Sequence, residues 1–398
     1  MSGSVGLLGE QDGYVARAEA LIPLLTEAAS RTEAARELAD DVVAALHRAG
    51  LFRVLMPTWL HGGETKPSVF IELIETIARG DASTAWCLCQ MNVCSLSSVY
   101  LGREAALEVF GATGAALAWG NTPYAKAVKV DGGYRVSGEW DFGSGCHHAS
   151  WLGGHCPVID EHGQPIADED AQQAERTVLF PKSAAQISDV WHVIGLRGTG
   201  SDRYSLDGLF VPERHAITTL MRWPDAPRQE MAAPYCFGGG SLYASGFGAV
   251  ALGNARGMFD LFVDLARSKT ARGMPNPLAE SALTQVAIAE SDTILRSART
   301  YLVQTLREFE DAATEAGGLT MDQRMRIRAA GTFAIRQATR VVDRLYEMAG
   351  TTAIFEGNPF GRRFRDAHTV SQHLQGRISH FETVGKHLLG VANEPRFV

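Results

Sequence analysis

Trp140-Asp141-Phe142-Gly143-Ser144-Gly145 sits in the one part of this chain whose texture is β rather than helical. Short β-prone runs gather around it. Ala127-Val128-Lys129-Val130 and Tyr134-Arg135-Val136-Ser137-Gly138 flank Asp131-Gly132-Gly133, the composition of a hairpin turn. Trp151 to Val158, Thr177 to Phe180 and Ser205 to Val211 read as further strands, with Pro157, Pro181 and Pro212 at their ends. Helix is expected on both sides of this block. Leu38, Val42 and Leu46 recur at four-residue spacing, Gly50 suits a C-cap, and Pro57 ends the next short segment. Val69 to Ile77 continues the pattern, and Ser83 to Tyr100 is apolar enough for a buried helix. Beyond Tyr243, Val250–Ala266, Glu280–Glu310, Met321–Ala349 and a segment through His380–Leu389 suit an antiparallel bundle. Phe237-Gly238-Gly239-Gly240-Ser241 reads as the linker into it. The expectation is an α+β chain of three units: an N-terminal helical domain over 1–115, a central β domain over 116–235 and a C-terminal helical bundle over 236–398.

Composition excludes several function classes. With 398 residues, 45% hydrophobic and 21% charged, the chain is long enough for several cooperating layers and ordinary for a globular protein. A net charge of −8 offers no basic surface for nucleic acid. No apolar run approaches the ~18 residues that span a bilayer. Met1 to Glu10 lacks a basic segment followed by an apolar one, so no secretory signal is expected and the reading is cytoplasmic. Six cysteines in such a chain form no disulfide framework, and Cys87, Cys89 and Cys94 match no zinc spacing. They read as buried thiols, and no metal site is expected.

Two further stretches matter. Gly195-Leu196-Arg197-Gly198-Thr199-Gly200-Ser201-Asp202 is glycine-rich, but the third glycine of a dinucleotide fingerprint is missing and strand-like Tyr204 to Val211 comes next instead of a helix. Nicotinamide binding is therefore not expected. Arg363-Phe364-Arg365-Asp366-Ala367-His368 runs on through Ser371-Gln372-His373-Leu374-Gln375-Gly376. Together with the Trp140–Gly145 stretch, these resemble the acyl-CoA dehydrogenase superfamily. The resemblance covers nearly the whole chain. It implies an N-terminal helical domain, a central β-barrel-like domain and a C-terminal four-helix bundle, with flavin between the last two. Dehydrogenases carry a Glu-Gly base shortly after the Arg-Asp pair. Here Leu374 and Gln375 stand in that region and His373 beside it, as in the two-component flavin-dependent monooxygenase (group D hydroxylase) branch.

That branch implies site residues. Ser144 matches the serine placed at the flavin N5 edge, although a plain Ser-Gly turn is the alternative. Asn121, after Trp119-Gly120, matches a polar group near the flavin edge, and Trp191 an aromatic packed on the isoalloxazine; either is structural on the bland reading. Thr199 and Ser201 are weaker flavin candidates. Arg267, Lys269 and Arg272 cluster where dehydrogenases place flavin-phosphate contacts made from a neighbouring subunit, with Arg272 the candidate; a solvated face is the alternative. His373 is the candidate catalytic histidine, able to accept a phenolic proton or orient a hydroxyl near neutral pH, with Ser144 and Asn121 beside it in the catalytic set. Glu356-Gly357 precedes Arg365-Asp366 and is set aside as a base. His147 and His148 face either the substrate cavity or solvent. Gln90-Met91-Asn92 offers no second histidine.

The implied activity is that of the oxygenase component of a two-component system. It takes reduced flavin (FMNH2 or FADH2) from a separate reductase, captures O2 as the C4a-hydroperoxide, and hydroxylates an aromatic or heteroaromatic small molecule. N- or S-oxygenation uses the same intermediate. The alternative is an FAD-containing acyl-CoA dehydrogenase-like oxidoreductase with a relocated base; a non-catalytic flavin-binding relative is a third reading. A homotetramer is implied, with no nucleic-acid or membrane partner.

Overall fold

The computed structural model describes residues 4–122, 124–168, 172–218 and 231–391, so the ends of the first and third expected units lie outside the described residues. Five helices come first: α1 (Ser4–Ala35), α2 (Asp40–Arg48), α3 (Pro67–Gly80), α4 (Ala82–Ser95) and α5 (Arg103–Phe110). Helix α2 buries Val42, Ala45 and Leu46, with Asp40 and Asp41 in its first turn and His47 and Arg48 in its last, each matching the helix dipole. Gly50 comes after it with φ 72°, as a residue past a helix end often does. Asp81 caps α4 by accepting from the Thr84 amide at 2.7 Å and its hydroxyl at 2.7 Å. Nearly every residue of α4 is buried, which accounts for its unbroken apolar texture.

Eight strands come next: β1 (Leu117–Trp119), β2 (Lys126–Val130), β3 (Gly133–Trp140), β4 (Trp151–Ile159), β5 (Glu175–Pro181), β6 (Gln186–Ser188), β7 (Arg203–Pro212) and β8 (Ala216–Thr218). They form one mixed sheet in the order β6-β7-β3-β2-β4-β5-β8, with β1 paired in parallel to the start of β4. The β2–β3 hairpin turns at Asp131-Gly132, where Gly132 has φ 73°. Val130 pairs with Gly133, which fixes a short turn at a place where sequence alone admits more than one length. A register shift between Val136 and Gly138 delivers Trp140 opposite Tyr204 on β7.

The remaining helices are α6 (Ala233–Ser268), α7 (Ala282–Ala316), α8 (Met321–Ala349), α9 (Pro359–Gln372) and α10 (Ser379–Leu388). The glycine run expected as a linker lies inside α6. Gly238 is non-helical (φ 72°, ψ 163°) and joins two helical stretches across a kink, so the flexible composition produces a bend rather than a connection. Thr320 opens α8 with a reciprocal capping box to Gln323.

Helix α9 locks the layers together. Buried Arg363 donates to the Ala78, Arg79 and Gly80 carbonyls at the end of α3, while Asn254 of α6 donates to the Arg363 carbonyl at 2.8 Å. One turn on, Asp366 accepts from the Leu196 amide at 2.6 Å, and Arg365 donates to the Ile194 carbonyl at 2.8 Å. A Cβ on Gly195 would fall 2.3 Å from the Arg365 carbonyl oxygen, so only glycine lets this loop approach the helix. Asp366→Ala is expected to leave the buried Leu196 amide unsatisfied and cost about 1–3 kcal/mol. Asp366→Asn, which keeps an acceptor, should cost less; urea unfolding of both variants measures the difference.

Candidate active site

The Trp140–Gly145 stretch is held by residues that point alternately into the protein and out of it. Trp140 is fully buried, stacked on Tyr204 with centroids 5.6 Å apart and 17° between planes. The Tyr204 hydroxyl accepts from the Gly120 amide at 2.7 Å and donates to the Gly153 carbonyl. Asp141 pairs with Arg203 at 2.7 Å, and its backbone exchanges two 2.8 Å bonds with Asn121. Phe142 then takes φ 60°, an uncommon value for a bulky residue, and stands 63% exposed. The turn brings Ser144 back inside, 5% exposed. Gly145 (φ 78°) completes it, and a Cβ there would meet Met91 Sδ at 2.8 Å.

Ser144 lies at one end of a chain of hydroxyls. Trp86 Nε1, from α4, donates to Ser144 Oγ at 3.0 Å. Ser144 Oγ lies 2.7 Å from Ser201 Oγ, which lies 2.6 Å from Thr199 Oγ1, which donates to the Leu196 carbonyl at 2.8 Å. Thr199 and Ser201, the weaker flavin candidates, are buried and bonded to each other. Trp191 is half-buried and donates from Nε1 to the same Leu196 carbonyl at 3.0 Å. Its amide and that of Val190 donate to Asp202, and its ring stands edge-on to Phe142 with centroids 6.1 Å apart.

His373 reaches this cluster through aromatic rings. Trp86 stacks on Phe247 of α6 at 3.9 Å, and His373 meets both edge-on, at 5.0 Å and 4.8 Å. Tyr243 extends the stack one turn earlier on α6, 5.6 Å from Phe247. Burial, with buried Arg328 and exposed Arg377 adding repulsion, pushes the His373 imidazole down to about 4. Its Nδ1 accepts from the Gln375 amide at 3.3 Å, so the neutral ring carries its hydrogen on Nε2. The lowered imidazole is a weaker proton acceptor than one poised near neutral pH. The geometry favours the other role given to His373, orienting an oxygen, with Nε2–H as donor. Gln375, in the region of the dehydrogenase base, is buried, and its Oε1 is without a hydrogen-bond partner.

The remaining candidates divide. Asn121 joins the site through its backbone bridge to Asp141, while its exposed side chain accepts from the Thr122 amide at 2.8 Å. Arg272 stands on the exposed turn after α6, outside this cluster of contacts. Its neighbours are engaged elsewhere: Lys269 donates to Ala349 and Thr352 at the end of α8, and Arg267 pairs with Asp264 at 3.7 Å. His147 bonds Asp202 at 2.8 Å, and His148 accepts from the Leu38 amide at 3.1 Å. Both therefore brace the loop and α2. Glu356 is exposed between α8 and α9. Among the described residues no group of three or more His, Cys, Asp or Glu could hold a metal ion, and no helix is long and apolar enough to cross a membrane.

A family profile described as acyl-CoA dehydrogenase, C-terminal domain, matches residues 245–377. The oxygenase subunit HsaA of a flavin-dependent monooxygenase from Rhodococcus jostii is 32% identical over 365 residues, which cover 90% of this chain and 93% of the relative. This chain belongs to the oxygenase-subunit family of flavin-dependent monooxygenases. The oxygenase component of an FADH(2)-dependent resorcinol hydroxylase from a Rhizobium species is 28% identical, with 96% and 95% of the two chains covered. Among solved structures, the 3-HSA hydroxylase of a Rhodococcus species superposes with a TM-score of 0.87 at 29% identity, covering 96% of this chain and 98% of that one.

The residues present fit the reduced flavin that this monooxygenase family uses. Ser144 Oγ has an acceptor position left beside its two internal bonds, and strained, exposed Phe142 with Trp191 offers an apolar edge for a flat ring. Trp86 and Phe247 are the residues that sequence reasoning missed. Trp86 comes after the Asp81 cap within an all-buried helix, and nothing in its local pattern separates it from core. His373 is expected to stay neutral from pH 8 down to about pH 5, because its folded value lies near 4. In a histidine NMR titration, the imidazole signal lost in His373→Asn should not shift over this range, like those of His148 and His155, which are also pushed down to about 4.

Proposed function

We propose that this monooxygenase hydroxylates an aromatic or heteroaromatic small molecule, held against His373 and the Trp86–Phe247 stack, with reduced flavin delivered by a separate reductase. The observation that carries this reading is the meeting of Ser144 with Trp86 and His373, through one hydrogen bond and one edge-on ring contact. Relatives named for resorcinol and 3-HSA hydroxylation support the substrate class. Bound reduced flavin would supply the activation of O2. The chain's own residues do the rest. Ser144 would offer an acceptor to the flavin N5 hydrogen, and Asn121, Trp191 and Phe142 would line its edge. Trp86, Phe247 and Tyr243 exclude water from the reacting face. His373 Nε2–H donates to a substrate oxygen, and buried Gln375 Oε1 is available to a substrate donor nearby.

The same reading covers the organisation of the chain. The division at 115/116 is supported by the change from α5 to β1, while 235/236 falls within α6, which opens at Ala233. A homotetramer, as the resemblance implies, would cover exposed Ile354, Phe355, Ile378, Leu388 and Leu389 of the C-terminal helical part. A cytoplasmic setting is supported by six free, buried cysteines.

The test mixes the protein anaerobically with reduced FMN or FAD and then with oxygenated buffer in a stopped flow. A transient spectrum distinct from both flavin redox states supports the reading. Direct reoxidation, together with reduction of tightly bound oxidised FAD by an acyl-CoA, would replace it with the dehydrogenase reading. Ser144→Ala is expected to raise peroxide release by about tenfold, the scale of one lost hydrogen bond in a dry site. His373→Ala should depress product formation while leaving the oxygen-dependent transient in place.

A further inference from the structure

We infer that Thr199 and Ser201 are positioning residues that fix the direction of the Ser144 hydroxyl, making it an acceptor and so selecting reduced over oxidised flavin. The inference rests on the reading that places Ser144 at the flavin N5.

Hydrogens can be counted along the buried chain. Each oxygen–oxygen contact of this length needs one hydrogen between its partners. The Leu196 carbonyl can only accept, so the 2.8 Å contact takes the hydrogen of Thr199 Oγ1. The 2.6 Å contact between Thr199 and Ser201 must then take the Ser201 hydrogen. The 2.7 Å contact between Ser201 and Ser144 must in turn take the Ser144 hydrogen. At the far side the Trp86 indole is a donor only, so it fills one Ser144 lone pair. Ser144 is left with one free lone pair and no free hydrogen. Reduced flavin carries a hydrogen on N5 and satisfies that lone pair. Oxidised flavin presents a lone pair at N5, and two acceptors would face each other.

The chain is anchored where it cannot easily reverse. Leu196 has φ 50°, its amide is bonded to Asp366, and its carbonyl also accepts from Trp191 Nε1. The Thr199 and Ser201 hydroxyls therefore set the redox preference at a residue on a different segment, without themselves touching the flavin.

The experiment measures dissociation constants for oxidised and dithionite-reduced FMN and FAD, anaerobically, by quenching of protein fluorescence and by ultrafiltration. It uses the full-length wild type, Ser201→Ala, Thr199→Val and Thr199→Ser. The wild type should prefer the reduced form. In Ser201→Ala the Ser144 hydrogen is released. In Thr199→Val the Ser201 hydrogen is released and the chain can reverse. Both should narrow the oxidised-to-reduced ratio by about fivefold to tenfold, and Thr199→Ser, which keeps the hydroxyl, should retain the wild-type ratio. A merely structural role would weaken both forms together, so an unchanged ratio in Ser201→Ala and Thr199→Val, with flavin still bound, overturns the inference alone. A wild type that binds neither form overturns the flavin reading and the inference with it.

Discussion

The hydrogen bond from the Leu196 amide to Asp366 is the constraint on which the rest of the site depends. It ties the loop carrying Trp191, Thr199 and Ser201 to a helix of the bundle, so two structurally unlike regions share one geometry. Its carboxyl is buried, and that burial pushes it up to about 7. Three residues earlier, the Arg363 guanidinium caps the carbonyl end of α3. A cation at a helix C-terminus is favourable, and here it also orients α9 toward the loop. The pair therefore works as a bracket: Arg363 fixes the helix and Asp366 fixes what the helix holds.

Within that bracket, chemistry is prepared by exclusion of water. Trp86, Phe247 and His373 meet as three rings, and the indole N–H of Trp86 finds its acceptor in Ser144. A histidine in such surroundings loses its charge, and the backbone bond at Nδ1 then determines which nitrogen bears the hydrogen. Polar groups in this setting act through fixed direction, because little solvent remains to compensate a wrong orientation.

Much of this was legible in the sequence. The strand runs around Trp140 and the helix over Met321–Ala349 come from local pattern, and the structure agrees within a few residues, whereas Ser144 was singled out by the family resemblance. The family resemblance added His373, whose position no periodicity would have singled out. Other features were not legible because their cause is distant in sequence. Helix α1 opens before the amphipathic pattern recognised at Leu38, although Ala18, Leu25 and Ala28 are buried. The glycine run at Gly238 has the composition of a linker, yet packing on both sides makes it a bend within α6. Lys269 has the look of a phosphate ligand, but the end of α8 occupies it. Local chemistry identified which groups can react; only the packing decided which already had partners.

The six thiols have a consequence for durability. All are buried, and two line the reverse side of the hydroxyl loop, where Cys87 Sγ donates to the Thr199 carbonyl at 3.5 Å and Cys146 Sγ to the Gly200 carbonyl at 3.4 Å. Burial raises Cys87 well above its ordinary range and pushes Cys146 up to about 12. Peroxide attacks the thiolate rather than the thiol. These sulfurs are thus held as thiols, the form that peroxide attacks least.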